Sequence, residues 1–432
     1  MLTEWPMKIK RPKALLFANT DWYLYNFRLS LIRKLEAEGW EIVLVSPSGK
    51  YAERLQSLGY RWVPFEFSRR SANPLREALV LARLLKLYKR ERPDLVHQFT
   101  IKCVLYGTLA ARLIGGISIV NSITGLGFVF SDSQFRTRLI RPVVQALYWL
   151  AFSSENVRVV FQNTSDRDEL VQFGLIPEPI TCVIRGSGLD AKRFAPNGNG
   201  SNSRHGSAPR VLLATRMLRN KGVFELLEAA KIIKRRGLAV EFLVAGEIYP
   251  DNPESLTARD IEKIKRSGLV KYLGHVEDMP ALLNACDIVV SPTYYPEGTP
   301  RILIEAAATE KPVIATDIPA SEGLVHHGVN GLKVPVKDAQ ALADAIETLA
   351  RQPEVWKQFG KNGRAIVLNG FSDSTVLSKT LDVYHNVLPV SATYGTAADA
   401  TPAAARVAQP EHSSVTSARL GRHPTEAASG SV

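Results

Sequence analysis

Glu297 and Glu305 stand with seven residues between them in the run Glu297-Gly-Thr-Pro-Arg-Ile-Leu-Ile-Glu305. Thr299 has the side chain of an N-cap and Pro300 the fixed φ of a first helical residue, so a helix is expected to start here. Its free backbone N–H groups, and the positive end of its dipole, suit an anion such as phosphate. Phosphate would repel two carboxylates, so Glu297 and Glu305 suit hydroxyl groups instead, whose hydrogen bonds they can accept. A ligand carrying phosphates, a ribose and a hexose offers all three partners. Two glutamates alone would equally be a loop acid and an acid on a helix surface.

A second cluster lies upstream, in Thr215-Arg216-Met-Leu-Arg219-Asn220-Lys221-Gly222. A planar guanidinium from Arg216 and a point ammonium from Lys221 together suit a diphosphate whose charge grows as a bond to it breaks. Gly246, in Ala245-Gly246-Glu247, and His275 and Val276, after Gly274, close the next two apolar runs, where glycine permits close backbone approach.

The elements that must position these residues alternate in type. Asp287-Ile-Val-Val-Ser-Pro and Val313-Ile-Ala-Thr read as buried strands on either side of the helix bounded by Pro300 and Pro312. Apolar runs at Ala14–Ala18, Ile42–Val45, Leu95–His97, Ile119–Asn121 and Val157–Phe161 alternate with helical patterns, and a second series begins at Val211. The chain is therefore expected to be α/β, with two doubly wound parallel sheets. Residues 1–194 form the first domain and 210–371 the second. Ala195–Pro209, rich in Gly, Ser and Asn, is the linker, and residues 372–390 form a helix returning to the first domain. Residues 391–432, rich in Ala, Ser, Thr and Pro, are expected to be disordered.

With 432 residues, 45% of them hydrophobic, the chain can fill two cores. Its three cysteines, Cys103, Cys182 and Cys286, are too scattered for a disulfide framework or a metal site. The first residues lack the pattern of a secretory signal, and no apolar stretch has the length of a bilayer span, so a cytoplasmic location is expected. Residues 1–194 carry 28 Lys and Arg against 17 Asp and Glu, whereas the rest carries 26 against 25. The basic half is thus the first, and its sign fits nucleic acid, anionic lipid or an anionic substrate.

The Glu-Gly start and the spacing to Glu305 resemble the paired-glutamate signature of retaining glycosyltransferases of the GT-B class, of the group 1 or family 4 type. The full run from Glu297 is similar to the branch that builds lipid-linked bacterial surface glycans. The resemblance spans Ala14 to Val387 and implies a GT-B fold, with two Rossmann-like domains facing a cleft. It implies that a nucleotide diphosphate sugar, with uridine as the expected base, is held by Arg216, Lys221, Gly246, His275, Val276, Gly298, Thr299, Pro300 and Glu305. Glu297, Arg216 and Lys221 carry the catalytic roles, Glu297 beside the anomeric carbon and Glu305 on the ribose. No cofactor and no metal are expected. Asp166 and Asp168 imitate a metal-binding pair, but acids in a first helical turn are ordinary.

In the first domain, Asn19 and Arg28 belong to a loop and helix similar to an Asn-Phe-Arg variant of the lipid-glycan branch. His97, Lys102, Thr124 and Gly125 end adjacent strands and resemble its acceptor-side loops. Thr124 stands where broader relatives have a histidine, so the resemblance supplies no general base. Glu322-Gly323 departs from the Arg-Glu pair usual in that branch, and Gly186-Ser-Gly188 reads as a hinge-side turn rather than a dinucleotide loop. The implied acceptor is a polyprenyl-diphosphate-linked glycan. In Phe135–Phe152, Arg136, Arg138 and Arg141 precede an apolar run with Trp149, which fits peripheral attachment to the anionic inner face of a membrane. The same run equally reads as a core helix. A nucleotide-sugar epimerase of similar fold and a noncatalytic basic membrane-surface module remain alternatives; nucleic acid is not an expected partner.

Overall fold

The computed structural model describes residues 11–68, 73–125, 146–197, 207–250, 252–295 and 297–389. Short strands filled with Val, Ile and Leu leave neither face for water, the pattern of parallel strands covered by helices on both sides. The first sheet comprises β1 (Lys13–Phe17), β2 (Glu41–Ser46), β3 (Arg61–Pro64), β4 (Leu95–Phe99), β5 (Ser118–Ile123), β6 (Val157–Phe161) and β7 (Thr181–Val183), in the order β3-β2-β1-β4-β5-β6-β7. The second comprises β8 (Arg210–Ala214), β9 (Glu241–Ala245), β10 (Lys271–Gly274), β11 (Ile288–Ser291), β12 (Val313–Thr316) and β13 (Gly331–Val334), ordered β10-β9-β8-β11-β12-β13. All strand pairs are parallel. In each sheet the order reverses beside the first strand, so the carboxyl ends of β1 with β4, and of β8 with β11, frame a ligand crevice.

Each sheet is covered by apolar side chains on both faces. The helix Asp373–Val387 follows the second sheet in sequence yet packs on the first, where Val376, Leu381, Tyr384 and Val387 join Leu16, Leu44 and Val120. The chain crosses back where Asp373 N–H donates to the Leu189 carbonyl (2.9 Å). Gly186 and Gly188 have φ of 71° and 86°, and a Cβ on Gly188 would collide with Asp373. Those glycines serve the crossover.

Two expectations need correction. The helix after Glu297 runs Arg301–Ala308 with Pro300 as its N-cap residue, one position later than the sequence suggests. Thr299 caps nothing; the turn is held instead by the Gly298 amide, which donates to the Thr124 carbonyl of the first sheet (2.9 Å). The helix Glu354–Gly370 escapes the sequence reading, because Gly360, Gly363 and Gly370 weaken its helical signal. Gly360 and Gly363 have a packing reason: they let the helix close on Glu310 and Ala307.

Candidate active site

The loop after β8 winds into a short 3-10 turn, Arg219–Lys221, before Gly222 at φ 78° opens the helix Val223–Arg235. This turn buries Lys221 at 6% exposure and ion-pairs its ammonium with the Glu297 carboxylate. Burial lowers the Lys221 pKa, opposed by the charge and hydrogen bond of Glu297. Tyr295 stands beside both cations, its ring centroid 5.0 Å from Lys221 Nζ and 6.0 Å from the Arg216 guanidinium. Tyr249 flanks the exposed Arg216 from another side at 5.9 Å. The two tyrosines are absent from the sequence reading, although both lie in loops just past strand ends.

Glu297 and Gly298 meet the first sheet. Beyond the bond to Thr124, a Cβ on Gly125 would stand 3.0 Å from the Glu297 Cα, and one on Gly298 would collide with the Gln162 side chain. Thr124, Gly125 and Gln162 follow β5 and β6, so the turn before Pro300 touches two strand ends of the first sheet. Gln162 was missed, although its place just after β6 matches that of Thr124 after β5. The Thr299 hydroxyl is buried and has no hydrogen-bond partner among the described residues.

Glu305 is buried one turn into its helix, where it accepts from Arg301 Nε (2.8 Å). Burial raises its pKa, with Arg301 acting in the opposite direction. Arg301 in turn reaches Ser187 Oγ (3.4 Å) and the Gly188 carbonyl (3.3 Å), which ties Glu305 to the crossover. On the neighbouring strand ends, Gly246 (φ 142°) lies beneath the Thr215 carbonyl, too close for any side chain. Its carbonyl accepts from Tyr272 Oη (2.6 Å). His275 is exposed, 3.9 Å from Glu247, and Val276 rests half-buried on the second core.

The first-domain residues divide. Asn19 is half-buried in the turn after β1. His97 offers no free ring nitrogen to a substrate: it is 1% exposed beneath the returning helix, with Nδ1 2.7 Å from Tyr384 Oη and Nε2 2.8 Å from Ser122 Oγ. Burial lowers its pKa well below the usual value, with the Arg28 charge second. A neutral imidazole bonded at both nitrogens is structural. Lys102 is likewise engaged, donating to Glu77 (2.8 Å) and the Ser68 carbonyl (2.7 Å). Arg28 is 5% exposed, with its guanidinium 4.3 Å from the Phe99 ring centroid.

Glu322 has a use that its departure from the family pattern did not suggest. Its carboxylate accepts from Thr164 Oγ1 (2.5 Å) and Ser165 Oγ (3.1 Å), joining the second sheet's loop to a helix start beside the first. Asp166, next in that helix, has its pKa raised to about 6, chiefly by burial and further by Glu169 and Glu322. Among the described residues no three His, Cys, Asp or Glu side chains converge as a metal site would require. Arg136, Arg138 and Arg141 lie outside the described residues. Trp149, in the helical segment 146–152, is 66% exposed and Leu150 is 48% exposed, whereas Tyr148, Ala151 and Phe152 are core. Among the described residues no helix is long and apolar enough to cross a membrane.

Residues 208–352 match the family model of glycosyl transferases group 1, and residues 13–163 match that of the glycosyl transferase 4-like domain. The chain is 29% identical over 373 residues to the N,N'-diacetylbacillosaminyl-diphospho-undecaprenol alpha-1,3-N-acetylgalactosaminyltransferase of Campylobacter jejuni, covering 84% of this chain and 96% of that protein. It is 26% identical to the UDP-Gal:alpha-D-GlcNAc-diphosphoundecaprenol alpha-1,3-galactosyltransferase of Escherichia coli, covering 73% and 81%. Among solved structures, a glycosyltransferase from Rickettsia africae superposes with a TM-score of 0.71 at 20% identity, over 88% of this chain and 99% of that one. The Anabaena protein HepE in complex with UDP superposes with a TM-score of 0.68 at 21% identity, over 86% and 99%.

Proposed function

Because the chain belongs to the group 1 and 4-like glycosyltransferases of GT-B fold, we propose that it moves a hexose-type sugar from a uridine diphosphate sugar to a polyprenyl-diphosphate-linked glycan, with retention of anomeric configuration. The observation that carries this reading is the Lys221–Glu297 pair together with the bond from the adjacent Gly298 amide to the Thr124 carbonyl, just past β5 of the other sheet. A cation suited to a diphosphate and a carboxylate suited to hydroxyls thus stand together beside a contact between the two domains, which supports the reading. The relatives from Campylobacter and Escherichia, whose names specify undecaprenyl-diphosphate-linked acceptors, support the acceptor class.

In this reading Arg216, Lys221 and the amides at the start of the helix Arg301–Ala308 hold the donor diphosphate. Glu305 accepts from the ribose, and Glu297 from the transferred sugar. Gly246, His275 and Val276 lie toward the base. The bond from the anomeric carbon to the diphosphate oxygen breaks with its electron pair leaving on that oxygen. The acceptor hydroxyl bonds to the same face of the carbon, and its proton passes to the departing phosphate. The clamp stabilises the charge that grows on that leaving group, so the reaction is metal-independent. Asn19, Arg28, Thr124 and Gly125 form the acceptor side, and Trp149 with Leu150 meets the anionic inner face of a bacterial-type membrane.

Thermal shift against a panel of nucleotide sugars tests the donor assignment, because a ligand bound only by the native state raises its melting temperature. A UDP-sugar is expected to give the largest shift. No shift with any nucleotide sugar would refute the assignment.

A further inference from the structure

Arg28 is the feature that the reading above uses least and that the structure makes most demanding. Its guanidinium is packed on Phe99 and Tyr23, with centroid distances of 4.3 and 5.2 Å. Nη2 donates to Tyr23 Oη (2.5 Å), a neutral acceptor. Among the described residues the buried Nε has no hydrogen-bond partner, and no carboxylate lies within ion-pair distance of any of its nitrogens. A buried guanidinium without an anion is unfavourable, and a neutral partner can satisfy an N–H but cannot balance the charge.

Arg28 also lines a cavity of about 10 Å³ with His97, Ser122, Gln162 and Thr380. That volume holds one water-sized group, which matches a single oxygen atom and not a whole phosphate. Gln162 forms one wall and lies against Gly298, so the cavity adjoins the turn that carries Glu297. The donor diphosphate already has Arg216 and Lys221 on the second sheet. On the first, Lys102 is held by Glu77.

Resting on the glycosyltransferase reading, we propose that Arg28 is the first domain's phosphoryl-binding residue, its Nε and the adjoining cavity receiving one oxygen of a substrate diphosphate. The same chemistry is offered by the diphosphate of a lipid-linked acceptor and by that of the nucleotide donor. Arg28 binds and positions the substrate through its charge, which distinguishes it from a packing arginine.

Calorimetric titration of wild type, Arg28→Gln and Arg28→Lys with UDP, and with geranyl diphosphate in saturating UDP, separates the sources. If the acceptor supplies the group, Arg28→Gln weakens geranyl diphosphate ten- to a hundredfold and leaves UDP unchanged. If the donor supplies it, UDP weakens by that factor and geranyl diphosphate does not. Arg28→Lys, which keeps the charge and stem, falls between Gln and wild type and serves if the Gln variant does not fold. Unchanged affinity for both ligands in the variants would overturn the proposal. Because wild-type UDP binding is measured in the same series, that result would leave the glycosyltransferase reading standing, whereas absent wild-type UDP binding would strike the reading itself.

Discussion

Lys221 and Glu297, 76 residues apart in sequence, form an ion pair in which the lysine is nearly buried and the glutamate is one-fifth exposed. A diphosphate that draws Lys221 toward itself must loosen this pair, which frees the Glu297 carboxylate for a sugar hydroxyl. Glu297→Gln removes the competition, so UDP affinity is expected to hold or to rise by up to about tenfold, while turnover falls about ten- to a hundredfold. Glu305→Gln is expected to do the reverse, weakening donor binding about tenfold with a smaller effect on turnover. Calorimetry and initial rates measure both; equal loss of UDP binding in the two variants would remove this division of roles.

Arg216→Ala and Lys221→Ala should each lower kcat/KM about ten- to a hundredfold, since a hydrogen bond to a charged group contributes about 1.5–3 kcal/mol. Chelator should leave the wild-type rate unchanged. Loss of activity in chelator with recovery in manganese would contradict the metal-independent clamp, as would full activity in both variants.

Gly222 ends the Lys221 turn at φ 78°, and a Cβ there would collide with the Pro292 carbonyl. Gly222→Ala is expected to cost about 2–3 kcal/mol in denaturant unfolding, from strain plus the displaced Pro292 loop. A cost below about 0.5 kcal/mol would show that the turn yields freely.

Asp166 supplies a pH test. Its folded pKa, about 6, lies above the ordinary aspartate value of 3.8, so the folded state binds the proton more tightly than the unfolded state. The burden of holding it ionised is full above pH 6, fades as pH falls toward 4, and is absent below. Asp166→Asn should therefore stabilise the fold at pH 7.5 by about 1–3 kcal/mol, an advantage that disappears near pH 4. Thermal unfolding across that range checks it; a pH-independent difference would contradict the buried-carboxylate account.

Trp149 and Leu150 project from a segment whose other face is core. If they enter a lipid interface, the protein floats with anionic liposomes at low salt, and replacing both with glutamate reduces the bound fraction at least fivefold. A protein that stays unbound, or binding indifferent to the change, would leave them as ordinary surface residues.

The alternating strand and helix plan was legible because buried parallel strands are continuous apolar runs. The places of Lys221, Glu297 and Glu305 in strand-to-helix connections were legible because local signals flank them: a strand before, a glycine or proline turn, a helix after. What escaped was set by packing between distant segments. Nothing near His97 announces that Tyr384 will cover it, since the partner arrives 287 residues later on the returning helix. Lys102 finds Glu77 across two packed helices, and Gln162 becomes part of the site only because Gly298 closes on it. The glycine-rich helix Glu354–Gly370 was lost for the same reason, as its stabilising contacts are tertiary.

Transfer from a labelled UDP-sugar to a short-chain polyprenyl-diphospho-sugar, with the new linkage read by proton NMR, bears most directly on the central claim. The account predicts a product whose new glycosidic bond keeps the donor's anomeric configuration, formed by wild type and reduced at least tenfold in Glu297→Gln. An inverted linkage, or consumption of the donor without transfer to any acceptor, would contradict it.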